Sequence, residues 1–468
     1  MEFSNLFFIY LFLPISLVVY FLMPSMRAKN IALITISLLF YGMGQPCYLP
    51  LLIGAVYLNY WLSWRILSGD RKTVVIPVVL NLLLLGVFKY LDFLLGIFGI
   101  VGADGGGALG WALPIGISYF TFQLISYQVD IYRGKTMPAK SFANLLLYVS
   151  MFPKMVMGPI VRYEQVEKQL YTRRTNPRMI FDGAIRFVVG LSKKVLIADQ
   201  TYNIYLQLTK LEFGGAAWLG ALMFTFYIYF EFSGVCDMAI GMGKIFGFRY
   251  PENFNLPYTS RSITEFWRRW HMTLGSFFRD YVYIPLGGNR NGKARQVFNM
   301  AVVWALTGLW HGASWNYILW GLYFFGLLTA EKQLLPALEK IPYIFRNLIT
   351  MLFVMIGWVL FANPKLGDLG NTLLMMFGKG KFWGDQVSVI FRNSLPLILL
   401  CFIGCTPIPR WISGIWRGIL VPKKRSTAFS VPQTIHAVSL FVFAMVLLFY
   451  CTACLSGSTS VPSLYASL

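Results

Sequence analysis

Long apolar stretches separated by short polar connections set the character of this chain. Apolar runs fall near residues 5–23, 30–47, 49–65, 73–97, 112–132, 193–210, 217–243, 297–311, 313–330, 343–361, 389–406 and 432–454. Most approach the roughly 20 residues that a helix needs to cross hydrocarbon. The pattern predicts an all-α, polytopic transmembrane protein with about twelve spanning helices. The run from Leu6 to Met23 lacks a basic leading segment and a small-residue cleavage site. It is read as a retained helix rather than a signal peptide.

Three stretches do not fit a plain span. Thr73 to Ile100 would make a helix of roughly 42 Å, too long for one crossing. Lys89 and Asp92 lie inside it at i, i+3 and mark a place for it to break. Residues 142–160 carry Pro153, Gly158 and Pro159, which suit a re-entrant segment enclosed by protein. Residues 297–311 are short for a span, which leaves His311 deep in the protein.

The polar stretch that follows Ser262 is the densest in chemistry. Ser262 with Glu265 three residues on is a capping-box start. Trp267, Trp270, His271, Leu274 and Phe278 then share one helical face, with Arg268 and Arg269 directed elsewhere. The reading is one basic, Trp-rich amphipathic helix lying in a membrane interface. Pro285, Gly287 and Gly288 end it. Further on, Thr307, Gly308 and His311 fall on one face of a helix, and the glycines beside His311 would let a substrate approach the backbone.

Composition agrees with a membrane chain: 57% of the 468 residues are hydrophobic and 13% charged, against roughly a quarter charged in a soluble protein. The net charge of +21 does not point to nucleic acid, because the bases sit between apolar runs as topology signals. Basic connections near Arg27 and Lys29, Arg65 to Lys72, and Arg133 to Lys140 alternate with base-poor ones at Gly44–Pro50 and Gly102–Gly110. The alternation puts both termini outside. It puts the basic segments Arg162–Lys194, Lys244–Arg295 and Arg410–Arg425 on the cytoplasmic side. No repeat or soluble domain stands out, so 1–468 is taken as one helical domain.

The chain has three histidines. A histidine deep in a membrane protein is a functional candidate, because a polar ring in hydrocarbon is costly. His311 fits that best. His271 could equally be an interfacial polar tip, and His436 is read as packing. Glu231 and Asp237 lie within an apolar run, where acids either line a site or pair with bases. Cys451 and Cys454 form a C-x-x-C with no second pair, which favours small packing residues over a metal site. With no P-loop and no nucleophile elbow, the chemistry left is a histidine acting as general base in a buried cavity.

The stretches Glu265–His271, Phe278–Arg290 and Leu306–Asn316 together resemble the membrane-bound O-acyltransferase family, in particular its alginate O-acetyltransferase branch. Leu113–Gln123, Gly158–Tyr163 and Tyr229–Gly241 match as well, so the motif-bearing core spans about 110–325. The branch more often has Asp at position 231 and Ser at 236, where this chain has Glu231 and Cys236. The resemblance implies a helical core with a central tunnel and acetyl-CoA arriving from the cytoplasm as donor substrate, with no tightly bound cofactor and no metal. It implies a catalytic His311, with His271 as the second motif histidine. Arg268, Arg269, Arg279, Arg290, Trp267 and Asn316 are the candidates for holding the donor, and Glu231, Asp237 and Trp310 for lining the tunnel. It also implies a bacterial inner-membrane location and delivery of the acetyl group to an extracytoplasmic polysaccharide, commonly through a separate acyltransferase. D-alanyl transfer to teichoic acid and a non-enzymatic translocator of polymer or lipid are the competing readings.

Overall fold

A computed structural model describes residues 2–68, 71–98, 112–378, 380–420 and 431–457. The base-poor connection 102–110, residues 421–425 of the last basic cluster and the C-terminal end lie outside them. Every regular element among the described residues is helical, and no strand occurs. The first helices are α1 (Phe8–Leu22), α2 (Met26–Gly44), α3 (Leu49–Leu67) and α4 (Lys72–Ile97). Next come α5 (Ile117–Tyr132), α6 (Phe142–Ser150), α7 (Phe152–Met155), α8 (Tyr163–Tyr171), α9 (177–208) and α10 (Gly214–Ile245). The rest are α11 (Ile263–Arg269), α12 (272–283), α13 (Gly292–His311), α14 (Trp315–Leu338), α15 (Tyr343–Ala362), α16 (Leu366–Met376), α17 (Asp385–Cys405), α18 (Ile408–Leu420) and α19 (Val431–Gly457). Five of these stretches are long and apolar enough to cross a membrane: α4, α10, α15, α17 and Thr434–Gly457 of α19. The others are shorter, interrupted or charged near one end, so the number of crossings is not read from length and apolarity alone.

Burial ranks these helices. Of the most apolar stretch of α10, 94% is buried, against 17% for α4 and 11% for α19. A helix that is apolar all round belongs inside, and α10 is the axis of the molecule. Its closest partner is α9. Glycines spaced by seven on both helices, Gly183 and Gly190 facing Gly234 and Gly241, bring the two backbones together. A Cβ on Gly190 would lie 2.5 Å from the Gly234 carbonyl oxygen, and one on Gly241 would lie 2.6 Å from that of Gly183. Small residues at such a seam let dispersion contacts and interhelical bonds form between backbones.

The basic segment from Arg162 to Lys194 is largely helical. Asn176 caps α9 through a bond from Met179 N–H, and the helix runs on through a π-turn at Lys193–Ala198. Its bases meet the acids of α10. Arg186 and Lys193 hold Asp237 at 2.8 and 2.7 Å, and Lys194 holds Glu231 at 2.9 Å and Asp199 at 2.7 Å. Arg173, in the same basic segment, is buried. It bonds Tyr20, Phe246 and Asn30, and so gathers the ends of α1 and α10 and the start of α2.

The three irregular stretches resolve differently. α4 is one continuous helix that takes up its strain in a π-turn at Gly86–Tyr90. Residues 142–160 form α6, a break at Met151, the single turn α7 and then an extended segment. Almost every residue from Leu145 to Tyr163 is buried, as irregular backbone must be at membrane depth. α13 begins at Gly292, five residues before the apolar run, and ends on a buried His311.

Candidate active site

Ser262 starts α11 as expected, accepting the Glu265 N–H at 3.0 Å. Glu265 reaches back to the Arg261 N–H rather than to the cap. The carboxylate of Glu331 on α14 takes the next two orphan donors, the N–H groups of Ile263 and Thr264. An acid belongs at a helix N-terminus, but its sequence position gave no sign of this role.

The single amphipathic helix does not form. α11 stops at Trp270, which is extended, and His271 takes the left-handed conformation (φ 43°, ψ 51°) before α12 begins. A non-glycine residue rarely adopts that conformation. The break turns His271 inward, where it is buried against Phe232 and Trp310. Trp270 is buried too, in an aromatic cluster with Phe254, Tyr258 and Trp358. Protein covers this face, so it is not available to the membrane interface.

His311 reaches the same place from α13. Its ring lies 4.7 Å from Trp310, 5.0 Å from Trp320 and 5.0 Å from Phe361. His271 lies 5.6 Å from Trp310, so both histidines pack on the same indole. The C-terminus of α13 would leave open carbonyls. The Tyr90 hydroxyl donates to Leu309 O at 2.8 Å and Lys89 Nζ to Trp310 O at 2.5 Å. Lys89, expected to act within its own helix, thus tethers the histidine-bearing end of α13. A cation at a helix C-terminus is favourable.

Gly308 and Gly312 do not open the backbone to substrate. A Cβ on Gly308 would lie 2.4 Å from Tyr317 O, and one on Gly312 would lie 2.5 Å from the Tyr317 ring. These glycines let α14 fold back against α13. The opening is on the other side of the ring. A cavity of about 40 Å³ is lined by His311, Trp310, the turn Leu113–Tyr119 and Val156. Ile115 and Val156 also line a second cavity, of about 110 Å³, with Lys194, Glu231, Met157 and the N-terminal residues Glu2 to Ser4. A third, of about 340 Å³, is polar. It is lined by Arg186, Lys193, Asp237, Cys236, Asn253 and Arg410. Glu231 and Asp237 are therefore both ion-paired and cavity-lining.

Among the described residues, none of the six donor-holding candidates lines the His311 cavity. Arg269 bonds Glu265 at 2.6 Å and Arg279 bonds Asp280 at 2.7 Å, while Arg268 and Arg290 are exposed. Burial opposes the ionised form of Asp280, but the bonds from Arg279 and Arg162 outweigh it and hold its carboxyl below the usual range. Trp267 packs among Trp304, Trp320 and Phe324. Asn316 donates to Leu360 O and Phe361 O. His436 is partly buried on α19, and its carbonyl accepts from Ser439.

Two buried histidines packed on one indole, one of them lining a small cavity, are set in a helical bundle. With residues 136–366 matching the membrane-bound O-acyltransferase family, the chain belongs to that family. It is 39% identical over 412 residues to a probable alginate O-acetylase of Pseudomonas syringae pv. tomato, covering 84% of this chain and 78% of that protein. It is 36% identical over 421 residues to a peptidoglycan O-acetyltransferase of Helicobacter pylori, covering 80% of each. A teichoic acid D-alanyltransferase of Bacillus subtilis is more distant, at 28% over 53% of this chain and 68% of that protein.

Proposed function

We propose that this O-acyltransferase takes acetyl groups from acetyl-CoA on the cytoplasmic side of the bacterial inner membrane. It hands them outward for O-acetylation of an extracytoplasmic polysaccharide such as alginate, cellulose or peptidoglycan. The acceptor hydroxyl belongs to the polymer or to a partner acyltransferase that passes the group on. The observation that carries this reading is His311, buried beside a cavity of about 40 Å³. That small space suits a two-carbon acyl group better than a fatty chain.

In the step proposed, the hydroxyl oxygen attacks the thioester carbonyl carbon while His311 accepts the hydroxyl proton. The tetrahedral intermediate expels the thiolate, which takes the proton from His311 and leaves as free CoA. The donor's phosphates favour guanidinium partners. Arg268 and Arg290 are the more available of the four, since Arg269 and Arg279 already hold carboxylates. The cavity behind Ile115 and Val156 continues the path to the outer side, as part of a central tunnel within about twelve crossings. The lower identity and coverage of the D-alanyltransferase put that chemistry second.

Labelled acetyl-CoA supplied to sealed membranes tests the reading. Acetylation of polymer that depends on His311 supports it. Unimpaired polymer export with no acetyl transfer would move the assignment to a translocator.

A further inference from the structure

We propose that Asn253 is a positioning residue that fixes the proton of His271 on Nδ1 and so keeps Nε2 as a buried, open hydrogen-bond acceptor.

The argument starts from a group with no choice. The backbone N–H of Thr273 can only donate, and it points at the Asn253 side-chain atom 3.2 Å away. That atom must therefore be the amide oxygen. The Thr273 hydroxyl agrees. It accepts the Ile160 N–H at 2.9 Å, and its own hydrogen is left to point at the same Asn253 oxygen, also at 2.9 Å. The amide NH₂ then faces Cys236 Sγ at 3.2 Å. His271 Nδ1 lies 3.1 Å from the oxygen, which offers only lone pairs, so Nδ1 carries the hydrogen.

The ring is buried between Phe232 and Trp310, where a charged imidazole would lose its hydration. A neutral ring with hydrogen on Nδ1 has a bare lone pair on Nε2. That Nε2 is buried without a hydrogen-bond partner among the described residues. A buried acceptor left open in a folded protein calls for an explanation, and a donor brought by a substrate supplies one.

The backbone is shaped for the same end. Asn253 O accepts the Met272 N–H at 3.0 Å, so Asn253 holds the first two donors of α12 and clamps His271 in its left-handed conformation. Strain of this sort persists only where the surroundings enforce it. One role and one exclusion follow for His271, resting on the acetyl-transfer reading. It can receive a proton or hydrogen bond from the acceptor hydroxyl or the donor's pantetheine amide. It cannot, while neutral, donate from Nε2 to the thioester oxygen.

With three histidines in the chain, selective ¹⁵N-histidine labelling of the whole protein in detergent gives a readable spectrum. The parent protein is expected to show one ring protonated at Nδ1 and bare at Nε2, assigned by its loss in His271→Gln. Asn253→Asp keeps the acceptor oxygen and should keep that tautomer and most of the kcat. Asn253→Leu should lose it, with kcat falling at least about tenfold. A parent His271 protonated at Nε2, or a tautomer unchanged in Asn253→Leu, overturns the proposal. The parent spectrum decides the matter even if the leucine variant fails to fold. It is also independent of whether acetyl transfer is the reaction.

Discussion

His311 closes α13 with its ring among Trp310, Trp320 and Phe361 and its helix end tied to Lys89 and Tyr90. In the proposed mechanism, removing the ring removes the base while the aromatic packing remains. His311→Ala should insert normally and lose roughly 10²–10⁴ in rate, as expected for a general base; initial rates with labelled acetyl-CoA beside a size-exclusion profile would check both. Replacing Arg268 and Arg290 together by Gln should raise the KM for acetyl-CoA several-fold and leave kcat nearly unchanged, because phosphate contacts far from the thioester bind ground and transition states alike. His311 stood out in the sequence because a histidine in an apolar run is rare. Asn253 did not, because its partners lie 18 and 20 residues away along an irregular path. Nor did Glu331, which caps a helix from 67 and 68 residues off.

At the level of elements, hydrophobic periodicity located most helices, and the Ser262 cap located the start of α11. It missed the break at Trp270 and His271. One face of regular spacing is compatible with a straight helix, and only the bonds that the Met272 and Thr273 N–H groups donate to Asn253 reveal that two helices meet there. The α9–α10 seam was equally hidden, since glycine spacing on one helix says nothing of its partner. Gly190→Val should drive its side chain into the Gly234 backbone and lower the Tm in detergent by several degrees or abolish folding. Gly326→Val, at a position with open space, should change little. The bonds that depress the Asp280 carboxyl also make a sign-definite pH prediction. A lowered folded-state pKa means stability that is present above the unfolded value of about 3.9 and lost as pH falls further. Hydrogen-exchange protection factors in 272–283, taken relative to the intrinsic rate at each pH, should therefore hold at pH 6 and fall below about pH 4.

At the scale of the whole molecule, class and family were plain in the sequence, whereas the path through the protein was not. Apolar run lengths overstate what helix geometry alone supports, because several runs begin with bases or are broken by turns. Orientation is best tested at surface positions. Cysteines replacing Arg178 and Lys293, both exposed, should react with an impermeant reagent only after the membrane is opened; labelling of intact cells at either would reverse the topology. Arg173 is no use as a probe, since it ties three helix ends together.

Ile115 and Val156 line both cavities, and in the proposed transfer they would act as a ruler. The space beside His311 is measured out by two aliphatic side chains, and behind them lies a second, larger chamber. Under the proposed acetyl transfer, selectivity for the acyl group would rest on a wall and not on recognition of the group itself. Val156→Ala should join the chambers and let propionyl-CoA compete with acetyl-CoA, with the preference between the two measured directly in a mixed-donor assay. Evolution of a longer-chain transferase from this scaffold would need few changes, and they would lie at the far end of the acyl chain, away from the histidines.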